Sequence, residues 1–352
     1  MKMIKSFDFS ARAAIFCLLF ALFFVGCDSA NKVEVTLANG GVYQGEVEKD
    51  YKHGSGRYTW PNGAYYEGEW NSDKKTGRGV YVDAAGNRYE GEWLNDEYHG
   101  KGTYTWATGA NYKGEFVNGM RTGQGIMLWA NGEHYEGAWK NNKEHGTGTK
   151  KWANGRHYQG DFVQGEFSGN GKLTWPDGHL YEGEFKNNVA SGHGKYTWPD
   201  GQFYIGAFEK GSKHGQGTMK WPDGREYSGP FKHDVQEGLG QLSWADGRVY
   251  VGEFNQGEMT GRGILNWPNG QVYEGDFVNG DFNGFGAFTW PEGEKYVGEF
   301  KNGKKHGQGT FVWPDGSKYV GDFVADEMHG QGLCISDASS TDCKYKNGVK
   351  ID

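Results

Sequence analysis

YVGEFKNGKKHGQGTFVWPDG, residues 296–316, is one copy of a phrase that recurs along most of the chain. A Gly-x-Gly pair and a tryptophan follow its first tyrosine at fixed distances, and the tryptophan is replaced only at Asp83 and Ser336. An uninterrupted period of this length predicts a repeat array. The tyrosine that opens each unit returns every 23 residues, at Tyr43, Tyr66, Tyr89, Tyr112, Tyr135, Tyr158, Tyr181, Tyr204, Tyr227, Tyr250, Tyr273, Tyr296 and Tyr319.

Within one unit, the side chains alternate as they do in a strand. Tyr296, Gly298 and Phe300 fall on one face because successive side chains of a strand point to opposite sides. Residues 307–313 again put glycines and aromatic residues in one phase. The polar residues between the two halves, 301–306, are predicted to form a hairpin loop of about six residues. Each unit is therefore predicted to be a β-hairpin.

The residues after each tryptophan predict how the hairpins are joined. Pro-Asp-Gly or Ala-Asn-Gly is typical of a tight turn, in which glycine supplies a positive φ. Helical periodicity is absent. The sequence therefore predicts an all-β fold, an elongated single-layer antiparallel meander of 13 hairpins with 23 residues each.

Glycine is frequent, at 61 of 352 residues, although it weakens strands. We interpret three glycines per unit as a geometric device, because a missing Cβ lets a sheet curl and lets an aromatic ring lie on bare backbone. On this interpretation each ring lies over a glycine of the neighbouring hairpin, and the rings form a continuous ladder. Burial of each ring would contribute on the order of a few kcal/mol before entropy.

The pattern Y-x-G-x-[FW]-x-x-G-x-x-x-G-x-G-x-[YF]-x-W-[PA]-[ND]-G resembles the MORN (membrane occupation and recognition nexus) repeat. The resemblance covers Gly40 to about Gly332, and the end units depart from it, with Val47 and Ser336 at aromatic positions, as capping units do. It implies a scaffold, binding or tethering module without catalysis or a cofactor. One unit that fits closely matches the pattern at Tyr181, Gly183, Phe185, Gly192, Gly194, Trp198 and Gly201.

Residues 1–26 are predicted to be a signal peptide. Their apolar run, Ala13–Val25, is shorter than the roughly 20 residues that a membrane span needs, and basic residues precede it. The run ends at Cys27 in a segment that resembles the bacterial lipobox, which implies an acylated cysteine and a membrane tether. Asp28 resembles an inner-membrane retention signal and favours the periplasmic face of that membrane over the outer membrane. An ordinary secretory signal or an uncleaved anchor is the alternative.

The remaining boundaries follow from the array. Residues 27–39 are predicted to be a tether with a capping strand at Val33–Leu37, residues 40–335 the array, and residues 336–352 a C-terminal capping strand. Cys334 and Cys343 are an even pair in an oxidising compartment and are predicted to form a disulfide. Such a bond would contribute about 2–3 kcal/mol to the terminal hairpin.

The charge of the chain excludes some partners. A formal net charge of −8 opposes nucleic acid, and it also argues against binding of anionic lipid headgroups. The lysines near residues 301–305 are interpreted as solvated loop tips.

Six histidines, one per unit, precede the Gly-x-Gly pair. Equivalent positions of neighbouring hairpins lie about 10 Å apart, too far to share one metal ion, so we interpret these histidines as loop residues. Ser, Asp and Glu form no unique constellation, and we predict neither a metal site nor a catalytic site. The histidines are His53, His99, His145, His214, His306 and His329.

Three functions fit these observations. The favoured one is a membrane-tethered, non-enzymatic scaffold that docks an unidentified protein of the cell envelope. The second is a glycan- or peptidoglycan-binding protein that uses an aromatic-lined groove. The third is a mechanical spacer or adhesin. The solvent exposure of the tryptophans should separate the first two, because stacking on sugars needs open ring faces.

Overall fold

The computed structural model describes residues 6–7, 32–336 and 339–351 of the chain, which divides into two compact units, Met1–Pro176 and Asp177–Asp352. All regular elements among these residues are β-strands. In each unit, strands that follow one another in the sequence pair in antiparallel fashion, with two exceptions. Ser6–Phe7 pairs in parallel with Thr36–Leu37, and the consecutive strands Val235–Gln236 and Gly238–Ser243 both pair with Glu226–Lys232. The prediction of an all-β hairpin meander is confirmed in both units.

The strands of the first unit are β1 Ser6–Phe7, β2 Lys32–Leu37, β3 Val42–Glu48, β4 Tyr51–Thr59, β5 Tyr65–Asn71, β6 Lys74–Val82, β7 Arg88–Leu94, β8 Glu97–Thr105, β9 Asn111–Val117, β10 Met120–Leu128, β11 His134–Lys140, β12 Lys143–Lys151, β13 His157–Val163 and β14 Glu166–Thr174. Those of the second unit are β15 Leu180–Lys186, β16 Val189–Thr197, β17 Phe203–Glu209, β18 Ser212–Lys220, β19 Glu226–Lys232, β20 Val235–Gln236, β21 Gly238–Ser243, β22 Val249–Asn255, β23 Glu258–Asn266, β24 Val272–Val278, β25 Asp281–Thr289, β26 Lys295–Lys301, β27 Lys304–Val312, β28 Lys318–Val324, β29 Glu327–Ser336, β30 Ser339–Lys346 and β31 Val349–Lys350.

The hairpin turns are shorter than predicted. β26 and β27 are joined by two residues, Asn302 and Gly303, with φ of 48° and 78°, and Lys301 pairs directly with Lys304. Two positive φ values describe a type I′ turn, whose twist matches that of the flanking strands. The predicted six-residue loop at 301–306 is therefore wrong, because its other four residues belong to strands.

The connections between hairpins agree with their prediction. After β27, the Trp313 N–H donates to the carbonyl of Ser317 and the Gly316 N–H donates to that of Trp313, each at 2.9 Å. Asp315 Oδ1 accepts the Ser317 N–H at 2.9 Å, and Gly316 has φ of 84°. An Asx turn and a positive-φ glycine together reverse the chain within four residues.

A β-bulge interrupts most hairpins at the first glycine of Gly-x-Gly. Gly298 pairs with Gly309, but Phe300 pairs with Lys305, so Glu299 lies opposite three residues. Gly307, in the middle of the bulge, has φ of 61°. The prediction that all three glycines share the phase of the aromatic residues is wrong for this one: a Cβ there would lie 2.5 Å from a carboxylate oxygen of Glu299.

The core is a ladder of tyrosines on bare backbone. The Tyr296 ring lies over Gly298 and Gly309, where an added Cβ would come within 2.5 Å of it or closer, and its hydroxyl donates to the carbonyl of Glu299 at 2.9 Å. Both glycines belong to the hairpin of Tyr296, so the prediction that each ring covers a glycine of the neighbouring hairpin is wrong. Twelve such tyrosines are completely buried: Tyr66, Tyr89, Tyr112, Tyr135, Tyr158, Tyr181, Tyr204, Tyr227, Tyr250, Tyr273, Tyr296 and Tyr319.

Edge-to-face contacts join one hairpin to the next. The ring centroid of Tyr296 lies 5.1 Å from that of Phe300 in its own strand and 4.8 Å from that of Phe323 in the following hairpin. The first contact is nearly perpendicular and the second is inclined at 75°, arrangements that the quadrupoles of aromatic rings favour. Each tyrosine therefore links two hairpins, which is the ladder that the sequence predicts.

The ends of the array carry additional strands. β2 pairs with β3 and includes the strand expected at Val33–Leu37. At the other end β30 pairs with β29, and Cys343 lies opposite Gly332, where the other hairpins have a second glycine. A disulfide joins Cys334 to Cys343, whose Cα atoms are 5.9 Å apart.

Candidate binding faces

Each hairpin has two different faces. The aromatic face carries Tyr181, Phe185, Trp198 and their equivalents, and the first two are buried. The polar face carries Glu182, Glu184 and their equivalents, and both of these side chains are exposed. Because side chains alternate along a strand, residues that build the core and residues that meet solvent are separated completely within one hairpin.

The residues predicted as the structural repeat occupy three kinds of position. Gly183 and Gly194 face each other beneath the ring of Tyr181. Gly201 ends a connection with φ of 89°, and Gly192 lies in the bulge with φ of 66°, opposite the carboxylate of Glu184. The predicted lipidation site, Cys27, lies outside the described residues.

The tryptophans at the hairpin ends form a half-buried row on the aromatic face. Nine of the eleven have a Lys or Arg side chain within 6.0 Å of the ring centroid: Trp60, Trp106, Trp129, Trp152, Trp175, Trp198, Trp221, Trp244 and Trp290. A cation over an indole ring is attracted by the negative ring face. Most of these rings are therefore already engaged by a side chain of the protein itself.

Lys75 illustrates how closely these cations are held. Its Nζ lies 4.5 Å from the ring centroid of Trp93 and 5.4 Å from that of Tyr81. Burial among the rings lowers the pKa of Lys75, while the charge of Asp96 acts in the opposite direction. The same balance of burial and an aspartate holds for Lys213 and Lys305.

Each lysine at the repeat position of Lys75 has an aspartate in the turn of the next hairpin. The backbone N–H of Lys75 donates to Asp96 Oδ1 at 2.9 Å. Arg121 and Asn142 repeat the contact with an uncharged acceptor. Where Ala190 replaces the lysine, the turn residue is Gly211. The lysine pairs are Lys52–Asp73, Lys75–Asp96, Lys213–Asp234 and Lys305–Asp326.

The sequence contained this signal, although sequence reasoning missed it. The two residues of each pair are 21 positions apart, and they change together from repeat to repeat. Comparison of the repeats with one another, column against column, would have found the pairing.

One pair of charged residues interrupts the aromatic face. Glu144 is 6% exposed, and its Oε1 accepts from Lys150 Nζ at 2.7 Å. Burial raises the pKa of Glu144, and Lys150 opposes that effect. In a later hairpin, Met259 and Leu265 occupy the same two positions. Other hairpins place Lys75, Lys213 or Lys305 at the position of Glu144, so the position accepts charged as well as apolar side chains.

The polar face contains a repeated contact of its own. Glu69 Oε1 accepts the backbone N–H of Arg78 at 2.7 Å, and Gly77 between them has φ of 55°. The bulge turns this N–H away from the regular ladder, so a carboxylate three residues after the tyrosine supplies the acceptor. Eight hairpins have this bond, donated by Arg78, Lys101, Gln124, Asn170, His193, Arg262, Phe285 and Gln308.

The six histidines lie in strands rather than in loops. His99 belongs to β8 and His306 to β27, each immediately before the bulge glycine. The carbonyl of His99 accepts from the hydroxyl of Tyr89 at 3.3 Å. The interpretation as loop residues is wrong because the turns are short. No group of three or more His, Cys, Asp or Glu residues in the described part of the chain is placed to hold a metal ion.

Within residues 32–336 and 339–351, no helix has the length and apolarity to cross a membrane.

Several solved structures resemble this chain remotely. The TCP10 domain of Danio rerio CPAP is 15% identical, with 62% of this chain and 93% of that chain covered and a TM-score of 0.21. The TCP10c domain of Drosophila melanogaster Sas-4 is 20% identical over 49% and 90%, also at 0.21. Virginiamycin B lyase of Staphylococcus aureus is 10% identical over 87% and 92%, at 0.14. TM-scores this low carry no argument about fold or function.

A search of curated proteins returns no match to the sequence. The family model of the MORN repeat, in contrast, matches thirteen successive segments: residues 43–65, 66–88, 89–110, 112–134, 135–155, 158–180, 181–203, 204–224, 227–247, 250–272, 273–295, 296–318 and 319–339. These segments include every hairpin that begins with a ladder tyrosine. The chain belongs to the MORN-repeat family.

Proposed function

We propose that this protein is a non-enzymatic repeat scaffold, tethered to a membrane through Cys27, that docks another protein of the cell envelope on its polar face. The observation that carries the proposal is the different sequence variation of the two faces. The aromatic face repeats its ladder tyrosine and the paired glycines beneath it from hairpin to hairpin, whereas the polar face has no such constant residues. The residue after the ladder tyrosine is Glu182, Ile205, Ser228 and Val251 in four successive hairpins. Positions that the fold leaves free can encode recognition of a partner.

The exposed apolar residues of the second unit support this choice of face. Ile205 is 48% exposed, Val251 47% and Leu239 72%, and all three lie on the polar face. In the first unit, the equivalent positions include charged residues such as Glu67, Arg78 and Glu90. Apolar side chains exposed among polar ones are typical of protein–protein contact sites.

The proposal is tested by photo-crosslinking in cells. A photoreactive amino acid at Ser228 or Val251 should capture a discrete partner, while the same residue at Trp221 on the aromatic face should not. Capture from Trp221 alone would overturn the assignment of the face. Absence of any crosslinked protein from the polar-face positions would favour a mechanical spacer or adhesin.

The tether is tested separately. A Cys27→Ala variant should move from the membrane fraction to the soluble fraction, because the acyl chains are the proposed anchor. Retention of the variant in the membrane fraction would contradict anchoring at Cys27, whatever the crosslinking shows.

Glycan binding is the second candidate, and Trp313 is the place to test it. Cations cover most of the tryptophan row, which opposes stacking of sugars on these rings. Trp313 has no such cation in the described part of the chain, and a depression of about 470 Å³ lies beside it, lined also by Pro314, Asp315 and Ser317. If the protein binds purified peptidoglycan and Trp313→Ala abolishes that binding, glycan recognition replaces protein docking as the favoured function.

A further inference from the structure

Two neighbouring hairpins of the second unit lack the carboxylate that completes the bulge. Ala207 and Pro230 stand three residues after Tyr204 and Tyr227, where eight other hairpins have the Asp or Glu that accepts the bulge N–H. The N–H groups concerned are those of Gln216 and Leu239. Among the described residues, neither of them meets a side-chain acceptor, because methyl and pyrrolidine groups cannot accept hydrogen bonds.

A depression in the polar face coincides with these two hairpins. It measures about 510 Å³, and its lining includes Gln216 and Leu239 together with Thr218, Ser228, Gln241 and Val251. None of its lining residues is charged. Thr218 Oγ1 and Ser228 Oγ lie 3.0 Å apart and add hydroxyl groups at its base. The depression therefore offers backbone donors, side-chain amides and hydroxyls beside the exposed apolar surface of Leu239 and Val251.

Neighbouring hairpins show which group accepts a hydrogen bond from a bulge N–H. In the preceding hairpin, Glu184 Oε1 accepts the N–H of His193 at 2.8 Å. In the following hairpin, Glu253 Oε1 accepts the N–H of Arg262 at 3.4 Å. Hydrogen bonds to a charged acceptor are about twice as strong as neutral ones, so a carboxylate is the group that these amides select. Two hairpins that lack the carboxylate acceptor thus lie between two hairpins that have it.

We propose that the polar face between Ala207 and Val251 binds an acidic segment of a partner protein, whose Asp or Glu carboxylates accept the N–H groups of Gln216 and Leu239. Equivalent atoms of neighbouring hairpins are two strands apart, which is about 10 Å. The segment must therefore present two carboxylates at that separation. This inference rests on the proposed docking function and assigns a chemistry to the partner at the same face.

One exposed cation lies on the polar face in the hairpin that follows Leu239. Arg262, one hairpin beyond Leu239, has a side chain that is 83% exposed and lies 3.7 Å from Asp276. An exposed ion pair of this kind contributes little and is free to exchange partners. Glu253 lies opposite Leu239 in the strand register, and its carboxylate already accepts the bulge N–H of its own hairpin. An acidic segment that extends past Leu239 would therefore meet a cation in the next hairpin.

A third hairpin provides an internal comparison. Ala138 also replaces the carboxylate, and the bulge there contains Gly146 and Thr147. Its neighbours in the array, at Glu115 and Asp161, both complete their own bulges. A single hairpin without the carboxylate offers one bulge N–H and can bind only one carboxylate of a ligand. This hairpin should therefore bind an acidic segment more weakly than the two adjacent hairpins do.

The test uses the full chain in detergent and a labelled peptide, (Glu-Gly-Ser)4, whose glutamates recur every third residue. Three residues of extended or polyproline-like chain span about 10 Å, which matches the separation of the two amides. Fluorescence anisotropy should detect binding of this peptide and at least tenfold weaker binding of (Gln-Gly-Ser)4. Equal affinities for the two peptides would overturn the inference.

Variants copied from other repeats sharpen the test. The double variant Ala207→Glu, Pro230→Glu installs the internal acceptors of the other hairpins and should weaken binding at least tenfold. Ala138→Glu, the same change at the isolated site, should alter affinity less than twofold. Undiminished binding by the double variant would overturn the proposal, provided that its circular dichroism and unfolding midpoint match the wild type.

The same variants separate the inference from the docking function. If a partner is captured from Ser228 or Val251 in cells and the double variant abolishes that capture, both stand. If the partner is captured equally by wild type and double variant, the docking function stands and the acidic segment is refuted. If nothing is captured although the peptide binds, the docking function fails by itself.

Discussion

Tyr250 lies directly over Gly252: a Cβ added to this glycine would be 2.3 Å from the tyrosine hydroxyl oxygen and 2.5 Å from Cζ. The opposing glycine, Gly263, is covered by the same ring. The tyrosine is completely buried although only one sheet layer surrounds it. The bare backbone of two paired glycines thus provides the surface against which the ring packs, in place of a second sheet.

Substitution of Gly252 should therefore be far more costly than substitution of its neighbour. Gly252→Ala should lower the free energy of unfolding by about 3 kcal/mol or more, because the ring has no room to retreat. Glu253→Ala should cost about 1 kcal/mol, the contribution of one bulge hydrogen bond. Urea denaturation of both variants measures the difference, and equal stabilities would contradict the role of the bare backbone.

Gly303→Ala is the matched control. Gly303 has φ of 78°, but an added Cβ there meets no atom within 4 Å. Its substitution should cost only about 1 kcal/mol, the strain of a non-glycine residue at positive φ. A loss as large as that of Gly252→Ala would mean that backbone strain, rather than the ring, accounts for the effect.

The tyrosine ladder should make the protein sensitive to alkali. Burial raises the pKa of Tyr204 to about 12, with a smaller contribution from Asp234, whereas a tyrosine in the unfolded chain ionises near 10. Because the folded pKa is the higher one, this stability is complete below pH 10 and is lost as the pH rises towards 12. Twelve buried tyrosines act together in this direction. Lys75, Lys213 and Lys305 act in the opposite direction, because burial lowers the pKa of each of them.

Absorbance of tyrosinate at alkaline pH checks this expectation. The buried tyrosines should ionise together in one cooperative step that coincides with loss of the β-sheet signal in circular dichroism. Gradual ionisation near pH 10 with the sheet intact would refute a common buried ladder. The urea midpoint should already be lower at pH 11 than at pH 9.

The ion pair of Glu144 and Lys150 should be replaceable as a pair but not singly. Glu144→Met leaves Lys150, whose side chain is 18% exposed, without its partner, and should cost about 3 kcal/mol. The double variant Glu144→Met, Lys150→Leu copies Met259 and Leu265 and should be as stable as the wild type or more stable. Thermal unfolding of the three proteins measures this. A double variant less stable than Glu144→Met would show that the pair itself stabilises the fold.

The contact between Lys75 and Asp96 should couple neighbouring hairpins. A double-mutant cycle with Lys75→Met and Asp96→Ala should give a coupling energy of about 1 kcal/mol, because a partly buried cation loses its counter-charge. Asp96→Asn, which copies Asn142 beside Arg121, keeps the acceptor for the backbone N–H and should cost less than Asp96→Ala. A coupling energy near zero would show that Lys75 and Asp96 contribute to stability independently of each other.

The disulfide between Cys334 and Cys343 should stabilise the terminal hairpin locally. Cys343 is 2% exposed, and the two cysteines are nine positions apart in the sequence. Replacement of both by serine should cost about 2–3 kcal/mol. Hydrogen exchange should speed up in Ser339–Lys346, while β5 and β6 keep their protection. Two free thiols in non-reducing mass spectra of exported protein would contradict the bond itself.

The sequence alone determined the repeat, its strands and the side chains that are buried. A period of 23 residues is visible without any structure, and alternation of side chains assigns Tyr181 and Phe185 to one face and Glu182 to the other. These conclusions depend on the local geometry of a strand, which adjacent residues specify among themselves.

Only the tertiary structure decided the register and therefore the pairings. The type I′ turn at Asn302 and the bulge at Gly307 place Gly309 opposite Gly298, so each tyrosine covers glycines of its own hairpin. A predicted loop of six residues had hidden this, because one change in turn length moves every cross-strand pair. The lack of a carboxylate acceptor for the N–H groups of Gln216 and Leu239 is also visible only in the structure, because the bulge determines which side chain accepts from which N–H. Contacts across strands depend on register, and register is a property of the folded chain rather than of neighbouring residues.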